Sequence, residues 1–182
     1  FLADGCIVRD TGQAMSKDIA VVAVGGNALI RDSAHTALDD QYDAVCATAA
    51  HVVEMVAAGW NVVVTHGNGP QVGFILRRSE IADGQVPTVP VQYAVGDTQG
   101  AIGFMFQNAL GNALQRRGIR IPVVTLVTQT LIDRNDPAFQ KPTKPIGSFM
   151  KEDVARTLAS KLGWTVMQDG DRGWRRAIAS PQ

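Results

Sequence analysis

The chain has little cysteine, no surplus of either charge and no long apolar run, and each shortage removes a class of protein. Cys6 and Cys46 are its two cysteines. They form neither a disulfide framework nor a metal-ligand spacing, and read as free thiols of a reducing compartment. Lys plus Arg and Asp plus Glu number 17 each. No overall positive field therefore points to nucleic acid, and a charged ligand has to be met locally. No apolar stretch reaches the roughly 20 residues that span a bilayer. The opening, FLADGCIVRDTGQAM, lacks a basic segment followed by a clean apolar core and is a poor signal peptide. Met15 stands just before SKDIAVVAVGG and suits a natural start, which leaves residues 1–14 as a leader or vector-derived remainder outside the fold. Two nucleotide signatures are missing as well. There is no GxxxxGK[ST] motif, and GNGPQVG spaces its glycines as GxGxxxG, with Pro87 where a dinucleotide site would place an acidic residue. His35, His51 and His66 have no nucleophile motif near them, and no residue set calls for a metal.

What is present is an alternation of strand-like and helix-like segments. The 182 residues are 46% hydrophobic and 19% charged, enough for one large globular domain or a little more. IAVVAV (19–24) and NVVVT (61–65) read as strands buried on both faces, the pattern of a parallel sheet. Between them, Tyr42, Val45, Cys46, Ala49, Val52, Val53 and Val56 recur in helical steps, with Gly59 as the residue after the helix end. A second helix is expected over 70–82, with Pro70 in its first turn. A long helical region follows over 91–117, with Gly96 or Gly100 as points where it could break. Its stretch AIGFMFQNALGNAL is apolar on more than one face, which fits either a subunit interface or a thick core. IPVVTLVTQTLI (121–132) reads as a third strand. Residues 133–149, with three prolines, form a shaped excursion; 151–163 is a short helix, and WTVMQ and RRAIA read as short strands around DGDRG.

The two glycine-rich turns carry the chemistry. Each leaves the C-terminal end of a buried strand, the edge where ligands bind in an open parallel sheet. Gly25, Gly26, Gly67 and Gly69 allow a ligand close to the backbone, and Asn27 and Asn68 add uncharged donors. Successive N–H groups with a helix N-terminus behind them suit a small oxidised anion. His66 abuts the second turn and is either a donor to the ligand or a structural histidine. Lys144, between Pro142 and Pro145, is either a solvated charge or a cation held on a stiff loop for a phosphoryl group. Arg172, Arg175 and Arg176 in GDRGWRR belong to a solvated hairpin or to a cover over an anion, the former better suited to Arg175 and Arg176.

VVAVGGNALI, THGNGPQVG, QYAVGDTQGAIGFMFQNAL, VTLVTQTLIDRNDPAFQKPTKPIGSFM and DGDRGWRRAIASP run in order from about residue 18 to residue 182. Together they resemble carbamate kinase, of the amino-acid kinase family, over the amino-terminal portion of that enzyme. The resemblance implies an α/β fold: a three-layer α/β/α sandwich with an open, mainly parallel sheet, truncated here, plus a small protruding subdomain. It implies reversible phosphoryl transfer between ATP and carbamate, giving ADP and carbamoyl phosphate, in a cytoplasmic homodimer of arginine catabolism. Residues 15–132 would be the domain that binds carbamate or carbamoyl phosphate, and 133–182 the protruding subdomain and return. Catalytic roles fall to Lys144, Gly25 and Gly67. Substrate binding falls to Gly25, Gly26, Asn27, Ala28, Gly67, Asn68, Gly69 and Arg172. The helical region 91–117 corresponds to the dimer contact. Relatives in the family are much longer, and their second half carries the nucleotide pocket. ATP or ADP with Mg2+ thus belongs to the full-length enzyme, with none bound by this chain alone. The expected ligand is a small anion: carbamate, carbamoyl phosphate, phosphate or sulfate. The alternative is a non-catalytic anion-binding or dimerisation module on the same fold.

Overall fold

The computed structural model describes residues 18–30, 32 and 34–181; the expectations for residues 1–14, Met15 and Cys6 lie outside them. β1 (Ile19–Val24) and β2 (Asn61–His66) pair in parallel, with Val21 opposite Val63 and Val24 opposite His66. Between them runs α1 (Leu38–Ala57), which ends at Ala58 and Gly59, the latter at φ 96°. A positive φ after a helix is cheap only for a residue without Cβ. α2 (Gly69–Ile81) follows β2 directly. α3 (Val91–Arg116) is one uninterrupted helix of 26 residues, so neither Gly96 nor Gly100 breaks it. Its helical hydrogen bonds need no Cβ, and packing on α1 holds it through both glycines.

The main core lies between the sheet and these helices. Val22, Val24, Val62 and Val64 point towards Val45, Ala49, Val52 and Val53 of α1 and Ile102, Phe106 and Leu110 of α3. Burial of each such side chain contributes about 1.5–3 kcal/mol. Arg117, at the end of α3, forms an ion pair with Glu54 near the end of α1. The alternate residues face the other way. Ile19, Val21 and Val63 are 65%, 67% and 48% exposed. The expectation of burial on both faces is therefore corrected: an unbroken apolar run fits two-sided burial, yet in this chain only one face of β1 and β2 is covered.

Residues 121–132 also differ from expectation. They carry no regular secondary structure and join no sheet. The segment runs along α3, held by Gln107 Nε2 donating to the Val123 carbonyl (3.0 Å) and by a reciprocal pair between Gln99 and Thr128. Strand identity depends on a partner's backbone as much as on β-branched side chains, and here the partner is the side of a helix.

A second sheet follows. β3 (Lys144–Met150), β4 (Thr165–Gln168) and β5 (Trp174–Ile178) form an antiparallel sheet in the order β3-β5-β4, with α4 (Glu152–Leu162) between β3 and β4. Gly147, at φ 74°, lies where the β3–β5 register shifts. Ile146 of β3 packs with Val72 and Leu76 of α2 and Ala94 of α3, which ties this sheet to the first unit.

Candidate functional site

The turn after β1 (a single 3-10 turn, Gly26–Leu29) and the turn after β2 touch backbone to backbone. A Cβ added to Gly26 would stand 3.0 Å from the Asn68 nitrogen and 3.1 Å from the Gly69 nitrogen. One added to Gly67 would stand 2.8 Å from the Gly26 nitrogen. Any side chain at either place would push the turns apart, so the contact itself demands glycine there. The parallel pairing explains the meeting. Val24 and His66 are opposite one another, so both strands end at one level, and the Gly67 amide donates to the Val24 carbonyl at 2.8 Å. That bond and the one from the Ala28 amide to the Gly25 carbonyl (2.9 Å) use two of the amides in the cluster. Gly67 and Ala28 thus shape the site, while the N-terminus of α2, beginning at Gly69 with Pro70 next, is turned into the junction of the two turns. Such a helix end favours an anion.

Behind the turns lies a polar scaffold invisible in the glycine pattern. Asn68 Nδ2 donates to Thr98 Oγ1 at 2.8 Å, and Thr98 Oγ1 donates to the Val95 carbonyl at 2.7 Å. Thr98 is 1% exposed. The Asn68 side chain therefore reaches inward to α3. Gln71 Nε2 donates to Gln41 Oε1 (3.1 Å), and Gln41 Nε2 donates to the Thr36 carbonyl (2.9 Å). This ladder links the start of α2 to the start of α1. The signal that could have located Thr98 is its spacing from Ala94 and Ile102 on the buried face of α3. The Asn27 side chain lies outside the description. His66 Nδ1 lies 3.2 Å from the Gly67 carbonyl, a local contact that fits the structural alternative.

Lys144 opens β3, opposite Ile178, and is exposed. Arg172 is 69% exposed; its guanidinium meets Asp169 and lies 4.7 Å from the Phe149 ring centroid. Arg175 also binds Asp169, at 2.9 Å, donates to the Gly147 carbonyl and lies 4.8 Å from the same ring. These bonds, that from Arg175 first, hold the Asp169 carboxyl below its ordinary range. Arg176 stacks on Trp164 at 4.8 Å, and burial pulls its guanidinium below the usual arginine value, opposed by Glu80. Arg175 and Arg176 are thus packed on aromatic rings instead of solvated. An open hollow of about 450 Å3 lies here, lined by Phe149, Lys151, Arg172 and Trp174. It is separate from the glycine turns, which no residue of its lining represents. Among the described residues no cluster of three or more His, Cys, Asp or Glu could hold a metal ion, and no helix is long and apolar enough to cross a membrane.

This junction of parallel strand ends, glycine turns and a helix N-terminus is that of an amino-acid kinase fold. A structure from Aeropyrum pernix K1 superposes with a TM-score of 0.84 at 34% identity, over 90% of this chain and 52% of that one. Carbamate kinase from Giardia lamblia bound to AMP-PNP gives 0.82 at 37% identity, over 92% and 54%. Among curated proteins, carbamate kinase of Pyrococcus furiosus is 46% identical over 163 residues, 88% of this chain and 52% of that protein. The carbamate kinase-like protein YqeA of Escherichia coli is 49% identical over 171 residues, 92% of this chain and 53% of that protein. No family model matches. Within the amino-acid kinase class, the chain is homologous to carbamate kinases over most of its own length. It spans about half the length of the curated relatives it matches.

Proposed function

We propose that the chain is the part of a carbamate kinase that binds carbamate and carbamoyl phosphate, in the reversible reaction of ATP and carbamate to ADP and carbamoyl phosphate. The observation that carries this reading is the backbone contact of Gly26 with Gly67–Gly69 in front of the α2 N-terminus. A cleft walled by main chain has donors but little side-chain bulk, and suits a small anion over a large apolar ligand. In the reaction a carbamate oxygen attacks the γ-phosphorus. The new O–P bond forms as the bond to the departing ADP oxygen breaks. Amides of the two turns would stabilise charge on the phosphoryl oxygens in flight. The site residues of this reading are Gly25, Gly26, Asn27, Ala28, Gly67, Asn68 and Gly69, with Lys144 and Arg172 as the cations that residues 133–182 would supply to the anion held by residues 15–132. By the same reading Mg2+ accompanies the nucleotide in the full-length enzyme, and no step here passes through it.

The same reading gives the chain alone negligible turnover, because it assigns the nucleotide pocket to the half of the relatives that the match does not span, and puts the protein in the cytoplasm as a homodimer through α3. Tyr93 and Phe104, 66% and 63% exposed on that helix, support the contact.

Calorimetry with carbamoyl phosphate tests the site. The chain is expected to bind it, and Gly26→Val to abolish binding while the far-ultraviolet circular dichroism stays unchanged. Absence of binding by the parent chain, or equal binding by the variant, overturns the reading. A coupled assay showing robust ATP synthesis from carbamoyl phosphate and ADP by the purified chain would overturn the expectation of inactivity.

A further inference from the structure

A hollow of about 70 Å3 lies among α1, α2 and α3, with Gln41, Gln71 and Thr98 on its wall. All three are buried, at 2%, 8% and 1% exposure. The amide ladder here has a fixed direction. The Thr36 carbonyl can only accept, so Gln41 must turn its Nε2 towards it, at 2.9 Å. Gln41 Oε1 is then left for Gln71, which must answer with its own Nε2, at 3.1 Å. Gln71 Oε1 comes last and finds no donor among the described residues. Turning the Gln71 amide over would not help, because it would set oxygen against oxygen at Gln41. Thr98 Oγ1 also has capacity left. It donates to the Val95 carbonyl and accepts from Asn68 Nδ2, so one of its two acceptor positions is open. A buried acceptor without a donor is costly, and native proteins supply one in nearly all cases. The hollow is roomier than the roughly 10–15 Å3 that one water needs.

We propose that this hollow is a binding site for a small neutral hydrogen-bond donor, an O–H or N–H group given to Gln71 Oε1 and Thr98 Oγ1. Water has that chemistry. So does a short alcohol or a primary amide, whose apolar body meets Phe74, Ile75 and Met105 on the same wall. An anion is disfavoured by the two inner acceptors. A cation is disfavoured by Arg78, the charged residue among those that line the hollow. The bound donor closes a continuous chain of hydrogen bonds from the Thr36 carbonyl through Gln41 and Gln71 to Thr98 and Asn68. It thereby fixes the start of α2 against the second glycine turn without touching the anion held there. The inference rests on hydrogen bonding and packing, not on the substrate reading, and its test reads no activity.

The test observes the methyl groups of Ile75 and Met105 by NMR in the isotope-labelled chain. Their carbon-bound protons do not exchange with solvent, so a cross-relaxation peak to water reports a water held beside them. Such a peak is expected in the parent chain, with the sign of a long-lived water. 2-Propanol and acetamide are then titrated, with acetate and methylammonium as charged controls. A saturable shift of the Met105 methyl with loss of the water peak assigns the site to small organic donors. A water peak that neither neutral probe disturbs assigns it to water. Both results support the proposal. Gln71→Met keeps the length of the side chain and removes the acceptor. It is expected to erase the water peak, and to weaken any binding of the neutral probes about tenfold, the effect of losing one buried hydrogen bond. A parent chain with no water peak and no saturable shift overturns the proposal, whether or not the variant folds. So does saturable binding of acetate or methylammonium in place of the neutral probes, or a Gln71→Met chain that keeps the parent's occupant unchanged.

Discussion

Gly26 and Gly67 stand so close that a Cβ on Gly67 would lie 2.8 Å from the Gly26 nitrogen. The contact joins residues about forty positions apart, and it exists because β1 and β2 end together at Val24 and His66. A turn that only reversed the chain would tolerate alanine. This one brings two main chains within contact, and the neighbouring atoms are backbone, which cannot rotate out of the way.

Gly67→Ala is therefore expected to cost about 1–3 kcal/mol, the usual penalty for overfilling a close contact. Urea unfolding measures it. Gly69→Ala is the control, because a Cβ there meets nothing within 4 Å. Equal stability of the two variants would show that the turns separate at little cost.

The legible parts of this fold are those whose signal is local. The helical spacing from Tyr42 to Val56 appears as α1, and Gly59 takes the positive φ expected after it. The two glycine turns were visible because each follows a strand. The illegible parts depend on distant partners. IPVVTLVTQTLI has every local mark of a strand but lies on α3, because strand pairing needs a neighbour's backbone. IAVVAV reads as doubly buried, yet burial of its second face is decided by what covers it. Thr98 looks like any polar residue in a helix until Asn68 is seen to reach it. Arg175 and Arg176 look solvated until Phe149 and Trp164 are placed beneath them.

Thr98→Val tests the scaffold behind the second turn. The substitution keeps the shape and removes the hydroxyl that accepts from Asn68 Nδ2. Leaving a polar group without its partner in a buried setting costs about 1–3 kcal/mol. Loss of stability in urea and weaker carbamoyl phosphate binding are expected together. In a double-mutant cycle, Asn68→Ala combined with Thr98→Val should cost less than the sum of the two single changes. Strict additivity would show that the hydrogen bond contributes nothing.

Gly103 sets the seat of residues 121–132. A Cβ there would overlap Thr125 Cγ2 and lie 2.9 Å from its Oγ1. Alanine favours a helix over glycine by about 1 kcal/mol, so on an uncovered helix Gly103→Ala would stabilise. With Thr125 in place the clash is expected to win, for a net loss of about 1–2 kcal/mol. Thr125→Ala removes both offending atoms and should restore most of it in the double variant. Hydrogen exchange over 121–132 gives a second readout, with Gly103→Ala accelerating it. A single variant more stable than the parent chain would mean that the segment leaves α3 freely.

Asp169 joins Arg172 and Arg175 at the turn between β4 and β5, and its carboxyl is held low chiefly by the Arg175 hydrogen bond. A carboxyl that ionises more readily in the folded than in the unfolded state stabilises the fold when charged. Its contribution is complete above the ordinary aspartate value of about 3.9. It drains away as pH falls from there through the lower folded value, where both states become protonated. Asp169→Asn removes the ionisation while keeping an acceptor for Arg175. The variant is expected to be less stable than the parent at pH 7, and the gap to close as pH drops below about 4. Fluorescence of Trp164 and Trp174, both in contact with arginines of this region, follows the unfolding directly. A gap in urea midpoint that is the same at pH 7 as in strong acid would show that charge on Asp169 does not hold the two guanidinium groups in place.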